Sequence, residues 1–244
     1  MNLEFLLLLA AAVFVVAILY SSVGHAGASG YIAVMSLLGL SAMVIKPTAL
    51  TLNVLVASIA SWQFYRAGHF NWRLFWPFAL LAVPMAYVGG AIQLPTATFN
   101  LLLGVVLLYS AARFFVADPQ ERAPQPPALA AALLVGAALG LLSGLTGTGG
   151  GIFLTPLLLL MGWARAKEAA AVSALFILLN SSAGLLGNLA STRHWPDAIG
   201  WLLLAAAAGG AIGSRLGSRR FAPLLIKRLL AAVLLIAGLK LLLT

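Results

Sequence analysis

Residues 144 to 156 read "GLTGTGGGIFLTP", and the first eight of these positions hold five glycines. The chain on either side is almost continuously apolar, so a helix breaker stands inside a hydrophobic run. A looser copy, "SVGHAGASGYIAV", occupies residues 22 to 34. Backbone N–H and C=O groups freed inside a membrane must be buried in protein or line a polar cavity. Two such breaks therefore ask for a compensating use.

That the surroundings are membrane follows from composition. Of 244 residues, 63% are hydrophobic and 8% charged, against about 25% charged in an ordinary soluble chain. Cutting at charges and turn residues leaves ten apolar segments, at about 3–20, 28–45, 47–65, 74–92, 97–116, 128–145, 150–164, 169–190, 197–213 and 222–243. Most approach the roughly 20 residues that cross a hydrocarbon core about 30 Å thick, and Leu and Ala runs favour helix. The period-two alternation of a barrel strand is missing. The expected fold is an all-α polytopic membrane protein.

The first run carries Glu4 and no Lys or Arg in its leader, and no clean small-residue cleavage pattern ends it, so it is expected to remain as a helix. The sequence has no Cys, which excludes disulfides and thiolate metal sites, and its three separated His give no metal spacing. No cofactor and no metal are expected. The net charge of +9 comes from basic residues scattered singly between apolar runs, which reads as topology signal rather than nucleic-acid contact.

The most polar stretch, "ADPQERAPQPP", residues 117 to 127, divides the chain into a first membrane repeat (1–116), this linker, and a second membrane repeat (128–244). Each half has a helix, a Gly-rich break, a short apolar segment, a lone Lys, a helix with Asn or Ser inside, a polar loop with His and Trp, and a Gly-Gly helix. "KPTALTLN" from Lys46 corresponds to "KEAAAVSALFILLN" from Lys167, "RAGHFNW" to "STRHWPD", and Gly89-Gly90 to Gly209-Gly210. If all ten segments cross, one side receives Arg66, Arg73, Arg113, Arg122, Arg165, Lys167, Arg215, Arg219, Arg220, Lys227 and Arg228, and the other only Lys46, Arg193 and Lys240. That bias of eleven to three places both termini outside the cytoplasm, and five crossings per half invert one repeat relative to the other. If the segments after the breaks enter and leave on one side, eight helices span, four per half with short half-helices, and the bias is eight to five without Lys240. The five-plus-five arrangement is the expectation and the four-plus-four its alternative.

"GHAGASGYIAV…KPTALTLNVLVA…FYRAGHFNW" in the first half and "GLLSGLTGTGGGIFLTPLLL…KEAAAVSALFILLNSSAG" in the second resemble the sulfite exporter TauE/SafE family, the four-TMS sulfur-compound uptake and export permeases. The resemblance covers essentially the whole chain and is strongest in the second glycine motif and the Ala-Val-Ser helix after it. It implies a multi-pass permease of the bacterial cytoplasmic membrane moving small anions: sulfite, sulfonates, other sulfur oxyanions or organic acids. It also implies a duplication described as four plus four helices.

The residues themselves suggest how an anion is held. A half-helix starting within the membrane presents unpaired N–H groups and the positive end of its dipole, and in transporters built from inverted repeats such segments meet near the midplane. Candidate ligand-lining positions are Gly24, Gly27, Ser29 and Gly30 in one half and Gly147, Thr148, Gly149, Gly150 and Gly151 in the other. The competing reading is that these glycines only allow close helix packing. Thr51, Asn53 and Ser58, with Ser173, Asn180, Ser181 and Ser182, either donate to oxyanion oxygens or join helices; Asn53 and Asn180 are the favoured donors, with Thr51 and Ser173 beside them. Lys46 and Lys167 begin equivalent helices where an anion would pass, or else snorkel at the membrane edge. His25, inside the first break where the second half has Thr148, offers a route to proton coupling or serves as a neutral structural imidazole. His69 and His194 beside Trp72 and Trp195 read as interfacial anchors.

The five acidic residues, Glu4, Asp118, Glu121, Glu168 and Asp197, all fall at ends or loops, so a buried carboxylate relay for cations is missing. An enzyme is not expected, since no catalytic constellation appears. The functional expectation is a secondary permease whose partners are a small anionic solute and the lipid bilayer, with no nucleic acid. An anion channel, or a permease for non-sulfur organic acids, is the alternative.

Overall fold

The computed structural model describes residues 3–22, 24–115, 124–192 and 199–219, with the isolated helical positions 235, 238, 239 and 242. Among these the elements are all helical: α1 (Leu3–Ser22), α2 (Ala28–Leu37), α3 (Ala42–Arg66), α4 (Trp72–Ala91), α5 (Thr96–Phe115), α6 (Leu129–Thr146), α7 (Gly151–Leu160), α8 (Ala166–Thr192) and α9 (Ile199–Arg219). Six stretches are long and apolar enough to cross a membrane: Glu4–Ser22, Ala42–Arg66, Trp72–Ala91, Leu129–Thr146, Ala166–Thr192 and Ile199–Ser218. The linker core, the loop holding His194 and Trp195, and most of the expected tenth segment lie outside the described residues.

Two segments differ from expectation. α2 and α7 have ten residues each, about 15 Å at 1.5 Å per residue, half the thickness of a hydrocarbon core. They do not cross. The expected cut at Lys46 also disappears: α3 begins at Ala42 and carries Lys46 and Pro47 inside it. The lysine is tolerated within an apolar helix because it is buried on carbonyl oxygens, as described below.

Glycine rows set the packing. Gly136, Gly140 and Gly144 of α6 lie against the backbone of Phe78, Ala82 and Ala86 in α4. Gly209, Gly213 and Gly217 of α9 lie in the same way against Phe14, Ile18 and Ser22 in α1. With no Cβ on one partner the backbones meet directly, the small-xxx-small device of membrane helices. Matching positions climb together, so α4 and α6 are parallel, and so are α1 and α9. The first long helix of each half thus packs on the Gly-Gly helix of the other, and the two halves interlock.

The remaining directions follow from polar and glycine contacts. Asn71 at the start of α4 meets Glu168 at the start of α8, and Gln93 just past α4 meets Ser191 near the end of α8, so these helices are parallel. Asn53 meets Ser181, Leu50 lies by Gly184, and Phe64 clusters with Ala170, so α3 and α8, equivalent helices of the two halves, run antiparallel. α6 and α8 both follow α4, and α7 must return between them. Indeed the Gly162 carbonyl, just past α7, accepts from the Gln125 amide just ahead of α6. α6 and α7 therefore form a hairpin with the glycine break at its tip. These directions are compatible with inverted repeats.

Candidate functional site

Each hairpin tip holds a matching pair of glycines in the left-handed region, and the second tip has a third, Gly149. Gly24 and Gly27 have φ of 82° and 109°, and Gly147 and Gly150, 123 residues on, have 78° and 79°. Gly27 and Gly150 are the N-caps of α2 and α7, and at neither does a side chain cap the helix. The conformation demands glycine there, since a Cβ at positive φ is strained. The first-turn N–H groups of a helix have no partner within it, so both half-helices offer donors at their starts.

The two tips touch. His25 Nε2 lies 3.2 Å from the Gly151 carbonyl, and because a carbonyl only accepts, that nitrogen carries the proton and fixes the tautomer. Asn53 reaches from α3 to the second tip, donating from Nδ2 to the Thr148 carbonyl at 3.3 Å and to Ser181 Oγ on α8 at 3.2 Å. Around the first tip, Tyr31 donates to the Ala26 carbonyl at 2.8 Å and Ser29 donates to Tyr20 Oη at 3.0 Å. Around the second, Thr146 donates to the Leu142 carbonyl at 2.7 Å, and its hydroxyl lies 2.9 Å from that of Thr148. Thr155 of α7 donates to Ser173 of α8 at 2.7 Å.

Of the expected lining and donor residues, Ser58 and Lys167 are exposed, Ser182 is half-buried and the others are buried. Close packing surrounds most of these glycines. A Cβ at Gly24 would strike Ala170, at Gly30 Val16 and Tyr20, and at Gly151 Ile177; these three serve close packing. Gly149 and Gly150 are packed closely too, Gly149 against Asn53 Nδ2, Ser181 Oγ and Ile177 and Gly150 against Phe176 and Ser143. Thr51 donates to the Pro47 carbonyl of its own helix at 2.8 Å, which leaves it only acceptor capacity. Lys167 is exposed on the second residue of α8. It lies near His69, whose imidazole is held below its usual pKa first by desolvation and then by the Lys167 charge.

Lys46 is the larger departure from an edge residue. It is 5% exposed, and its ammonium donates to the carbonyls of Gly89, Gly90 and Ile92 at 3.3, 3.0 and 3.1 Å. These belong to the C-terminal end of α4, where carbonyls lack intrahelical partners and the dipole is negative. Its stem and backbone flank Gly147. Lys46 thus ties the start of α3 and the end of α4 to the second tip.

Sequence reasoning passed over Ser143, Thr146 and the tyrosines Tyr20 and Tyr31. Thr146 sits inside the quoted glycine stretch and Ser143 just before it, so their proximity to the break was visible. The tyrosines flank the first break by five and four residues from His25 and Gly27, a spacing that carried no signal until the tip folded back on α1.

The geometry can be set beside known proteins. The sequence profile of the family described as "Sulfite exporter TauE/SafE" matches residues 9–241. The chain is 44% identical over 239 residues to a "Probable membrane transporter protein y4hK" of Sinorhizobium fredii, a match covering 96% of this chain and 97% of that one. No solved structure matches it. A profile spanning nearly the whole chain, a full-length relative and six apolar helices agree: the chain belongs to the sulfite exporter TauE/SafE family and is a multi-pass membrane transporter.

Proposed function

We propose that the protein is a secondary permease for a small anion, a sulfur oxyanion or organosulfonate such as sulfite, bound between the two hairpin tips. One observation carries the reading: two half-helices without side-chain caps begin beside each other deep in the bundle, each contributing a positive dipole end and its first-turn N–H groups. Buried carboxylates would oppose an anion there, and the sequence keeps its five acids at ends and loops. A half-helix of about 15 Å starting at one membrane face ends near the midplane, which supports a site at that depth. Arg66, Arg73, Arg165 and Lys167 lie around the end of the bundle where Asn71 meets Glu168. By the positive-inside bias that end faces the cytoplasm of a bacterial inner membrane.

The test is counterflow in proteoliposomes. Vesicles preloaded with unlabelled sulfite should transiently accumulate labelled sulfite above equilibrium, with saturable initial rates, and sulfonates should compete. Flux that neither saturates nor shows counterflow would replace the permease with a channel. Saturable counterflow of small carboxylates, with none of sulfite or sulfonates, would move the substrate class to organic acids.

A further inference from the structure

Four buried polar atoms around the second tip lack partners among the described residues: Asn53 Oδ1, Ser143 Oγ and both amide atoms of Asn180. Asn53 and Asn180 are wholly buried, where an unsatisfied group carries its full desolvation cost. Asn53 is the decisive one, because its orientation is fixed. The Thr148 carbonyl can only accept, so the amide nitrogen must face it, and the same nitrogen also serves Ser181 Oγ. Oδ1 is therefore an acceptor, and no rotation can turn it into a donor without breaking that tie.

Asn180 lies on the same wall. On α8 it is one turn from Phe176, which lies against Gly150, and one turn from Gly184, which lies against Gly144, so helical periodicity points it at the last turn of α6 and the glycine tip. Ser143, in that last turn, has its Cβ beside Gly150. The orphaned atoms thus surround the start of α7 and its positive dipole end.

A fully ionised oxyanion offers only acceptors. It would satisfy the Ser143 hydroxyl, the Asn180 nitrogen and the free amides of the tip, yet it would set negative oxygens against Asn53 Oδ1. We propose that this site takes a monoanion that itself carries an O–H donor, a protonated oxyanion or a hydroxyl-bearing sulfonate. Its acceptor oxygens face the tip amides and its O–H donates to Asn53 Oδ1. The Asn180 amide, with no fixed partner, turns to complete the shell with its own oxygen or nitrogen. The inference rests on the anion reading of the preceding section and adds the ligand's donor to it.

Two probes of similar size and equal charge isolate that donor. 2-Hydroxyethanesulfonate and propane-1-sulfonate differ by OH for CH₃, and both stay monoanionic across neutral pH. Binding to the purified full-length protein, read by calorimetry, should favour the hydroxysulfonate about tenfold or more, since the analogue leaves buried acceptors unpaired. Asn53→Leu removes the acceptor itself, and in the folded variant the preference should fall to about threefold or less, whereas Asn180→Leu should weaken both probes and leave the preference in place. Equal affinity of the parent for both probes overturns the donor inference and leaves the anion reading standing. A folded Asn53→Leu protein with the full preference also overturns it, because Asn53 Oδ1 then takes no part, and so does an Asn180→Leu protein that loses the preference, because the donor then goes to Asn180 instead. If the folded parent binds neither probe, the anion reading falls, and this inference falls with it.

Discussion

The two hairpin tips share a matching pair of left-handed glycines, the second adding Gly149, and differ in what stands beside them. Gly24 and Gly147 occupy equivalent turns with φ of 82° and 78°, but Gly24 abuts Ala170 of α8 whereas Gly147 abuts Lys46 of α3. Those neighbours are themselves equivalent, each near the start of the helix that follows its half's hairpin. One tip is closed by a methyl group and carries an imidazole, and the other is flanked by an ammonium that grips the end of α4. A duplicated backbone thus needs no duplicated chemistry: the fold repeats what positions the half-helices, and single side chains decide what each half contributes.

The largest effect should come from removing the clamp. Lys46→Met keeps an unbranched stem but strands the carbonyls of Gly89, Gly90 and Ile92. Buried acceptors left without partners cost about 3 kcal/mol in sum after relaxation. At the equivalent position of the other half, Ala170→Gly should cost about 1 kcal/mol, the helix penalty of glycine. Unfolding in detergent measures both. If Lys46→Met is no less stable than Ala170→Gly, the ammonium is not what holds the second tip in place.

Next in size is the difference between two alanines. Gly24→Ala and Gly147→Ala carry the same strain of positive φ, on the order of 1 kcal/mol each. Their surroundings separate them. A Cβ at Gly24 would overlap both the side chain and the backbone of Ala170, while at Gly147 it would meet Lys46 atoms no nearer than 3.3 Å. Gly24→Ala should therefore be the more destabilising by about 1 to 2 kcal/mol. Equal losses of stability would mean that the two tips are packed alike and that the contrast lies in charge alone.

Much of this architecture was legible. The glycine breaks and the apolar runs are local patterns, and among the described residues helices occupy the first nine of those runs, though α2 is shorter and α3 begins earlier than expected. What the sequence hid is tertiary. Nothing in "KPTALTLN" shows whether Lys46 snorkels or turns inward, because that depends on α4 ending beside it, some 45 residues later in the chain. The shortness of α2 was masked by the apolar run to residue 45, which continues without interruption into α3 although the chain turns at Gly39. Lys46 and Lys167 looked equivalent by order along the chain, yet the structure pairs Lys46 with Ala170. A register shift of three residues is invisible to motif matching and decides which lysine is buried.

The smallest expected effect is the most informative about the first tip. His25 joins the two hairpins through Nε2–H and the Gly151 carbonyl, with the Tyr20 ring edge-on at 6.5 Å and Ser29 and Tyr31 hydroxyls nearby on Tyr20 and Ala26. A protonated ring would add a positive charge at the first tip while Nε2–H keeps its link to the second. Anion binding should therefore strengthen by a few-fold as pH falls through the imidazole range, a direction set by charge alone. His25→Gln retains an N–H for Gly151 and removes the titration. The variant should match the parent at high pH and lack its gain at low pH. A monoanionic sulfonate is the probe, so that the ligand's own charge stays constant. Should His25→Gln keep the parent's pH profile, the imidazole is only a strut between the tips, and the contrast between them reduces to Lys46.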